Sequence, residues 1–426
     1  MVSRGNKRFS DKMNVGVVMY QTSFTKGQEL VAQRMTHELI KQGHKAFLIT
    51  GPYHDNKPAI DQNELRRNVE GYLYFRESEF QVPLIRVDGD ISTWPPRRIM
   101  FLDFVHVLKL LIDRFKLDVI ISHSTLWNGP LEITKVVAWK KIMRDQGLHE
   151  KEIVYAHMSH FQPPDPTRYY LRERTYRIVW NTTVFPNIFR NAKLLLCTTP
   201  IEEEQMVAMG ARGDQCHLFP GGVDEDFFQK YKSRDPARFL STYSIPTDAN
   251  LVTYLGTVEE RKNPLAVVRV AKMLREMEDV HFVIAGWPLK QDMAVRREAE
   301  GLRNLSYIGR VTDEEKAMLI KASYVNILLS RMEALGLTQL EFMYGGIPII
   351  TSAVGGQEWL VRNGVEGIHV GGPDDLKGAA KAIKTLISNP ELHDRLGANA
   401  KIRAREFTLS KITSELSSRL RSLVIP

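Results

Sequence analysis

The chain has 426 residues, of which 43% are hydrophobic and 25% charged, and its formal net charge is +8 at pH 7. This length exceeds one ordinary core, so two domains are expected, with the composition of a globular protein. Cys197 and Cys216 are too few for a disulfide framework or a zinc set, and they fit a reducing cytoplasm. The polar N-terminus MVSRGNKRFSDKMN lacks the apolar core of a signal peptide. No run reaches the ~18 apolar residues of a transmembrane helix.

Apolar strands and amphipathic helices alternate along the first half of the chain. The run NVGVVMY predicts a buried strand, and apolar residues spaced three or four apart then predict a helix that Gly43 ends. AFLIT, DVIIS and EIVYAH predict further strands. Such alternation is typical of a parallel sheet covered by helices on both faces.

A segment rich in apolar residues, 97–115, predicts an amphipathic helix with Lys109, Arg114 and Lys116 nearby. It leads directly into the strand DVIIS, as a helix that covers a sheet does. We favour this interpretation. The alternative is a helix that lies on a membrane surface.

The alternation is most regular from Leu251 onward, where LVTYL, VHFVIAG, YVNILLS, IPIIT and GIHV predict strands separated by helices. Thr312 and Glu315 predict a capping box at the start of one of these helices. The segment FPGGVDEDFF breaks the pattern and predicts a domain boundary. No long linker is evident, so we expect two doubly wound domains that face each other across a central cleft.

One strand end combines a glycine with two acids, in SRMEALGLTQLEFMYGGIPIITSAVGGQE. Ligands of open parallel sheets bind beyond the carboxyl ends of the strands. A helix that starts near Gly336 would offer free backbone N–H groups to an anion such as a diphosphate. Glu341 would then reach ribose hydroxyls, and Glu333 would face the group beyond the phosphate. Arg261 and Lys262, at another strand end, would balance the charge of a leaving diphosphate.

This segment resembles the signature of the family 4 retaining nucleotide-sugar glycosyltransferases. The matching positions are Glu333, Gly336, Leu337, Glu341, Gly346, Pro348, Gly355 and Gly356. Further matches are Gly43-His44, the turn from Pro220 to Asp224, the strand end from Gly256 to Lys262, and YIGRVTDEEK. The resemblance covers nearly the whole chain. It implies the α/β fold GT-B, with two doubly wound Rossmann-like domains that face a central cleft.

The resemblance also implies a separate binding function for each domain. Residues 1–218 would bind the acceptor, with a C-terminal helix, 401–426, that returns to this domain, and residues 219–400 would bind the nucleotide sugar. The first set has 36 Lys and Arg against 26 Asp and Glu, and the second has 22 against 24. An anionic acceptor or an anionic lipid surface explains this asymmetry better than nucleic acid does, because no zinc finger, helix-turn-helix or RNP pattern accompanies it. Peripheral contact with the inner membrane face is therefore one expectation.

The roles that the resemblance implies form two sets. The catalytic candidates are Glu333 at the transferred sugar, His157 near the reacting centre and Lys262 at the diphosphate. The donor-binding candidates are Gly27, Arg261, Lys262, Arg310, Val311, Gly336, Leu337, Thr338 and Glu341. The reaction would be front-face displacement with retained configuration, in which the leaving phosphate assists deprotonation of the acceptor. Neither a metal nor a cofactor is expected, and the co-substrate would be a UDP- or GDP-hexose that carries glucose, mannose or N-acetylglucosamine.

This sequence departs from the family pattern at three positions. Thr257 stands where an Arg is usual, so one cation is missing from the diphosphate strand end, and Arg261 or Arg331 would have to replace it. Lys26 precedes Gly27 where a second glycine is common. Gly221 replaces the Asn of the turn between the domains, which we expect to alter only that turn.

Other functions have weaker support. Asp88-Gly89-Asp90 is a D-x-D, the metal-binding signature of the GT-A transferases, but such a triplet is also a common turn. The first strand is not followed by G-x-G-x-x-G, which disfavours an oxidoreductase, and no P-loop occurs. His123, His157 and His160 lack the spacing of a zinc motif. A non-enzymatic protein that binds anionic lipid or nucleic acid through the basic first domain remains an alternative.

Overall fold

The computed structural model describes residues 12–24, 27–92, 99–125, 127–148, 151–160, 175 and 178–424. The chain divides into two compact units. The first unit is Met1–Phe219 with Thr413–Pro426, and the second unit is Pro220–Ile412.

The C-terminal part differs from the predicted single helix over 401–426. It forms two helices, Pro390–Arg405 and Leu409–Val424, and residues 401–412 belong to the second unit. Ala400 and Ala404 are fully buried in a hydrophobic cluster of the second unit, which explains why the first of these helices stays there.

The first unit is built on an eight-stranded sheet in the order β12-β11-β10-β9-β1-β2-β6-β5. All neighbours are parallel except β5 and β6. Two short antiparallel pairs, β3 with β4 and β7 with β8, lie outside this sheet. The strands are β1 Asn14–Met19, β2 Lys45–Thr50, β3 Tyr53–His54, β4 Lys57–Pro58, β5 Tyr72–Phe75, β6 Leu84–Val87, β7 Gly89–Ile91, β8 Ile99–Phe101, β9 Val119–His123, β10 Val154–Met158, β11 Leu194–Cys197 and β12 Cys216–Leu218.

The helices of the first unit include a π-helical turn, Trp180–Val184, and a short 3-10 helix, Gly213–Gln215. The α-helices are α1 Gly27–Lys41, α2 Gln62–Arg67, α3 Phe104–Phe115, α4 Gly129–Asp145, α5 Phe185–Asn191 and α6 Pro200–Ala208. The predicted helix over 97–115 is therefore shorter than expected, because Ile99–Phe101 pairs with Gly89–Ile91 as a strand. Residues 97 and 98 lie outside the described residues. Phe104, Leu108 and Leu111 of α3 are buried, as expected for a helix that covers a sheet.

The second unit is built on a six-stranded, fully parallel sheet in the order β15-β14-β13-β16-β17-β18. Its strands are β13 Asn250–Leu255, β14 Val280–Ala285, β15 Leu305–Gly309, β16 Val325–Leu328, β17 Ile349–Thr351 and β18 Gly367–His369. Its helices are α7 Glu225–Lys230, α8 Ala237–Thr242, a 3-10 helix Glu260–Lys262, α9 Pro264–Met273, α10 Asp292–Ala299, α11 Asp313–Ala322, α12 Leu337–Tyr344, α13 Gly356–Leu360, α14 Leu376–Ser388 and α15 Pro390–Arg405. The last helix, α16 Leu409–Val424, crosses the boundary between the units.

The cores explain why the apolar runs form strands. Every residue of β14 is buried, and two hydrophobic clusters pack on the two faces of the second sheet. Strands covered on both faces in this way need continuous apolar sequence rather than alternation. The predicted capping box is present, with Thr312 and Glu315 each bonded to the backbone N–H of the other.

Two global properties bear on function. With the observed boundaries, the first unit has 32 Lys and Arg against 25 Asp and Glu, and the second has 26 against 25. The positive excess thus remains in the first unit, although it is smaller than with the predicted boundaries. Among the described residues, no helix has both the length and the apolar character needed to cross a membrane.

Candidate functional site

The strand order of the second unit places two charged loops side by side. β13 lies between β14 and β16, so the sheet is extended first in one direction and then in the other. The crevice beyond the carboxyl ends at such a switch point is the usual ligand site of an open α/β sheet. The chain that follows β13 carries Arg261 and Lys262, and the chain that follows β16 carries Glu333.

Lys262 and Glu333 form an ion pair across this switch point. Both side chains are largely buried, with 13% and 8% of their surface exposed. Burial lowers the pKa of the Lys262 ammonium, and the neighbouring Glu333 carboxylate opposes this shift. Ser330 Oγ lies 3.4 Å from the same carboxylate oxygen. The structure therefore brings together two of the three predicted catalytic residues.

The two arginines considered as replacements at Thr257 have different surroundings. Arg261 bonds Glu259 at 2.8 Å and contacts the Met332 carbonyl oxygen at 3.4 Å, beside Glu333. Arg331 instead makes two bonds of 2.7 Å to the Asp374 carboxylate. Arg261 is thus the arginine that lies against the loop of Glu333.

Helix α12 begins where the glycine and its neighbours predict. Gly336 is its N-cap, with a φ of 100°, in the left-handed region that glycine tolerates best. Leu337 and Thr338 are the first two helical residues. The first N–H groups of a helix have no partner within the helix, so these two amides are available to an anion.

Two glycines allow another loop to pack against the segment that carries Glu333. A Cβ atom at Gly355 would lie 2.3 Å from the Glu333 carbonyl oxygen, and one at Gly356 would lie 1.9 Å from the Ala334 carbonyl oxygen. The Gly356 N–H also donates to the Glu333 carbonyl oxygen at 3.1 Å. Any side chain would separate these backbones, so the Gly-Gly pair sets the position of Glu333.

Glu341 has a partner that the sequence did not reveal. Its carboxylate accepts a hydrogen bond of 3.0 Å from the Lys316 ammonium of α11. The Lys316 ammonium also lies 4.2 Å from the centre of the Phe227 ring. Lys316 and Glu341 are 25 residues apart, and nothing in their local sequence indicates the pairing.

Arg310 follows β15, and its guanidinium lies 4.4 Å from the centre of the Trp287 ring, which follows β14. Val311 packs against a hydrophobic cluster of the second unit. Arg310 and Trp287 therefore lie at the ends of two adjacent strands, β15 and β14.

His157 lies in the first unit, near the carboxyl end of β10. It is fully buried, and its Nδ1 lies 2.7 Å from Ser122 Oγ. Burial, and to a smaller extent His160, lowers the pKa of His157 to about 3. Burial also lowers the pKa of His160 to about 3, and His123 Nδ1 lies 3.1 Å from His160 Nε2. These histidines therefore remain neutral near pH 7.

Gly27 is the first residue of α1, after β1. Lys26, the departure from the family pattern beside it, lies outside the described residues. Two residues further on, Glu29 is buried and accepts hydrogen bonds of 2.9 Å from Tyr20 and Gln21. These contacts connect the start of α1 to the end of β1.

Both carboxylates of the Asp88-Gly89-Asp90 triplet are bonded to one arginine. Arg66 Nε donates to Asp88 at 2.9 Å, and Arg66 Nη2 donates to both carboxylate oxygens of Asp90, at 3.0 and 2.9 Å. Gly89 begins β7 rather than a free turn. In the described parts of the chain, no group of three or more His, Cys, Asp or Glu is placed to hold a metal ion.

Comparison with known proteins is consistent with this geometry. The profile described as Glycosyltransferase Family 4 matches residues 25–227, and the profile described as Glycosyl transferases group 1 matches residues 238–403. The chain belongs to glycosyltransferase family 4. The D-inositol 3-phosphate glycosyltransferase 1 of Catenulispora acidiphila is 30% identical over 246 residues, which cover 55% of this chain and 58% of that protein. The chain spans between 53% and 58% of the length of this relative and two similar ones.

Solved structures of other proteins have the same fold over almost the full length of this chain. Sucrose-phosphate synthase of Thermosynechococcus elongatus has a TM-score of 0.69 at 18% identity and covers 97% of this chain and 99% of its own. Anabaena Alr3699/HepE in complex with UDP and glucose has a TM-score of 0.69 at 16% identity and covers 96% and 100%. The predicted GT-B fold, with two Rossmann-like domains, is confirmed.

Proposed function

We propose that this family 4 member is a retaining hexosyltransferase, an enzyme that moves a glucosyl, mannosyl or N-acetylglucosaminyl group from a nucleotide-diphospho-sugar to a hydroxyl acceptor. The observation that carries the proposal is the ion pair of Lys262 and Glu333 at the switch point of the second sheet, directly before the free N–H groups of α12. A cation, a carboxylate and a helix N-terminus in this order match the diphosphate and the sugar of such a donor.

In this proposal each group binds one part of the donor. The Lys262 ammonium and the amides of Leu337 and Thr338 bind the diphosphate. Glu341, oriented by Lys316, accepts hydrogen bonds from the ribose hydroxyls. Arg310 and Val311 line the nucleobase, and Gly27 is the donor-binding candidate of the first unit.

The chemistry needs stabilisation of charge on two sides of the breaking bond. Negative charge grows on the leaving diphosphate, where Lys262 and Arg261 offset it. Positive charge grows on the sugar ring, where the Glu333 carboxylate offsets it. The leaving phosphate oxygen takes the proton of the attacking hydroxyl on the same face, which retains the anomeric configuration. His157 is the catalytic candidate of the first unit in this assignment.

We also propose an anionic acceptor, which reaches the protein from solution or from the inner surface of a membrane. The first unit has an excess of positive charge. The C. acidiphila relative is named for a phosphorylated compound, D-inositol 3-phosphate. Co-sedimentation with anionic and neutral vesicles separates the two sources, since an acceptor in solution needs no binding to vesicles.

The two glutamates provide the test of the proposed donor site. Glu341 contacts a part of the donor that is bonded alike before and during reaction, so Glu341→Ala should raise the donor KM with little change in kcat. Glu333 faces the ring that becomes positive, so Glu333→Gln should lower kcat about a hundredfold. Steady-state kinetics with varied donor separates the two effects. If Glu333→Gln alters only KM, the role assigned to Glu333 is wrong.

A thermal-shift screen against nucleoside diphosphates and their sugars identifies the donor before kinetics begins. A ligand at a hundred times its Kd adds about 2.7 kcal/mol to the free energy of unfolding. No stabilisation by any member of this panel would contradict the proposed donor site.

A further inference from the structure

Three buried polar side chains form a chain of hydrogen bonds on one face of the first sheet. Tyr155 and His157 lie two residues apart on β10, and Ser122 of β9 is the register partner of His157. Ser122 Oγ lies 2.8 Å from Tyr155 Oη and 2.7 Å from His157 Nδ1. All three residues are fully buried. Within the described residues, His157 Nε2 has no hydrogen-bond partner.

The number of hydroxyl protons decides the direction in which these hydrogen bonds are donated. If Tyr155 donates to Ser122, the Ser122 hydroxyl is free to donate to His157 Nδ1, and both hydroxyl protons are bonded. If Ser122 donates to Tyr155 instead, the Tyr155 proton loses its acceptor in this chain. If Tyr155 and His157 both donate to Ser122, the Ser122 proton is left over. Leaving a buried hydroxyl proton unbonded is unfavourable, so the first arrangement is preferred.

We propose that Ser122 is a positioning residue that holds His157 as the neutral Nε2–H tautomer. In this tautomer Nδ1 accepts the Ser122 proton, and Nε2 carries the ring proton. His157 then acts as a hydrogen-bond donor at Nε2 and not as a base there. The oxygen to which Nε2–H donates rests on the proposed transferase function, in which it belongs to a bound substrate.

A second observation supports this assignment: within the described residues, His157 Nε2 lacks a hydrogen-bond partner. Buried polar atoms are nearly always hydrogen-bonded, and a catalytic role is one of the reasons for an exception. A ring that stays neutral is suited to donate to an oxygen without placing a positive charge in this buried position. The low pKa of His157, caused mainly by burial, agrees with a ring that stays neutral.

The tautomer is measured directly by NMR on the full chain labelled with ¹⁵N at histidine, with the His157 signals assigned from a His157→Asn variant. We expect the wild type to show a pyrrole-like Nε2 and a pyridine-like Nδ1, in a ratio to the other tautomer of about ten to one or higher. Ser122→Ala removes the donor to Nδ1 and should yield a mixture of both tautomers. Ser122→Thr retains the hydroxyl and should restore the wild-type pattern.

Tyr155→Phe is the matched control, because it removes a buried hydroxyl from the same chain of bonds. It leaves Ser122 free to donate to His157, so the tautomer should be retained. A predominant Nδ1–H tautomer in the wild type, or an unchanged tautomer in Ser122→Ala, would overturn the proposal.

Kinetics then tests whether the tautomer matters for transfer. Ser122→Ala should lower kcat about tenfold, because the ring loses both its orienting bond and its defined proton. An altered tautomer with an unchanged kcat would refute the positioning role. If the wild type transfers no sugar from any donor, the proposed function fails, while the NMR result still decides the tautomer.

Discussion

The replacement Gly356→Ala tests whether a glycine holds the loop that carries Glu333. The added Cβ atom would lie 1.9 Å from the Ala334 carbonyl oxygen and 2.8 Å from Leu335 Cα. Ordinary contact starts at 3.4 Å, so one of the two backbones must move by about 1.5 Å. Both neighbours are backbone atoms, so a side-chain rotation does not relieve the overlap. Alanine is otherwise favourable at this first position of α13, which makes the overlap the dominant effect.

We expect two measurable consequences of this shift. Overpacking of this kind lowers the free energy of unfolding by about 1–3 kcal/mol, which urea denaturation measures. A displacement of about 1 Å at a catalytic group lowers kcat about a hundredfold, which steady-state kinetics with varied nucleotide sugar measures. Gly213→Ala is the matched control, because a Cβ atom there meets nothing within 4 Å. A Gly356→Ala variant with wild-type stability and kcat would show that this contact does not position Glu333.

Three further predictions concern other parts of the molecule. Lys316→Met should raise the donor KM about tenfold, because Glu341 loses its charged partner, whereas Lys316→Arg should stay near the wild type; equal KM values for both variants would contradict this. Because burial lowers the pKa of His157 and His160 from 6.5 to about 3, the unfolded chain binds protons first as the pH falls. Their contribution to the free energy of unfolding is thus complete above pH 6.5 and is lost progressively toward pH 3. We expect a loss of about 2 kcal/mol for each histidine at about pH 5, which urea denaturation over a pH series measures. Sugar transfer should persist in excess EDTA and in Asp88→Asn, since Arg66 already occupies that carboxylate; loss of activity that Mn²⁺ restores would favour a metal-dependent mechanism.

Features that depend on neighbours along the chain were predictable from the sequence. The buried strands follow from continuous apolar runs, since each run must be covered on both faces wherever it lies. The start of α12 at Leu337 and the capping box of Thr312 and Glu315 depend on residues within one helical turn. The family signature, with its fixed spacing around Gly336, is local in the same sense.

The division of the C-terminal part was predicted less well. The extent of the second unit depends on which core Ala400 and Ala404 pack in. Alanines on a helix face do not indicate which of two cores they join. The sequence predicts a helix at the edge strand Ile99–Phe101, because its apolar residues also suit a helical face. A short apolar run has no periodicity that separates the two structures.

Which side chains meet was decided by the tertiary structure alone. Lys262 and Glu333 are partners because β13 and β16 are neighbours in the sheet, although β14 and β15 lie between them in sequence. Lys316 reaches Glu341 because α11 and α12 carry them to one place. Ser122 and His157 are 35 residues apart in sequence, and the register of β9 against β10 places the Ser122 hydroxyl beside the His157 ring. The sequence alone determined the long buried strands, the start of α12 and the signature glycines, since these follow from local sequence and backbone geometry. Strand order and register are set by the packing of the whole chain, and they determined the partners of the catalytic candidates.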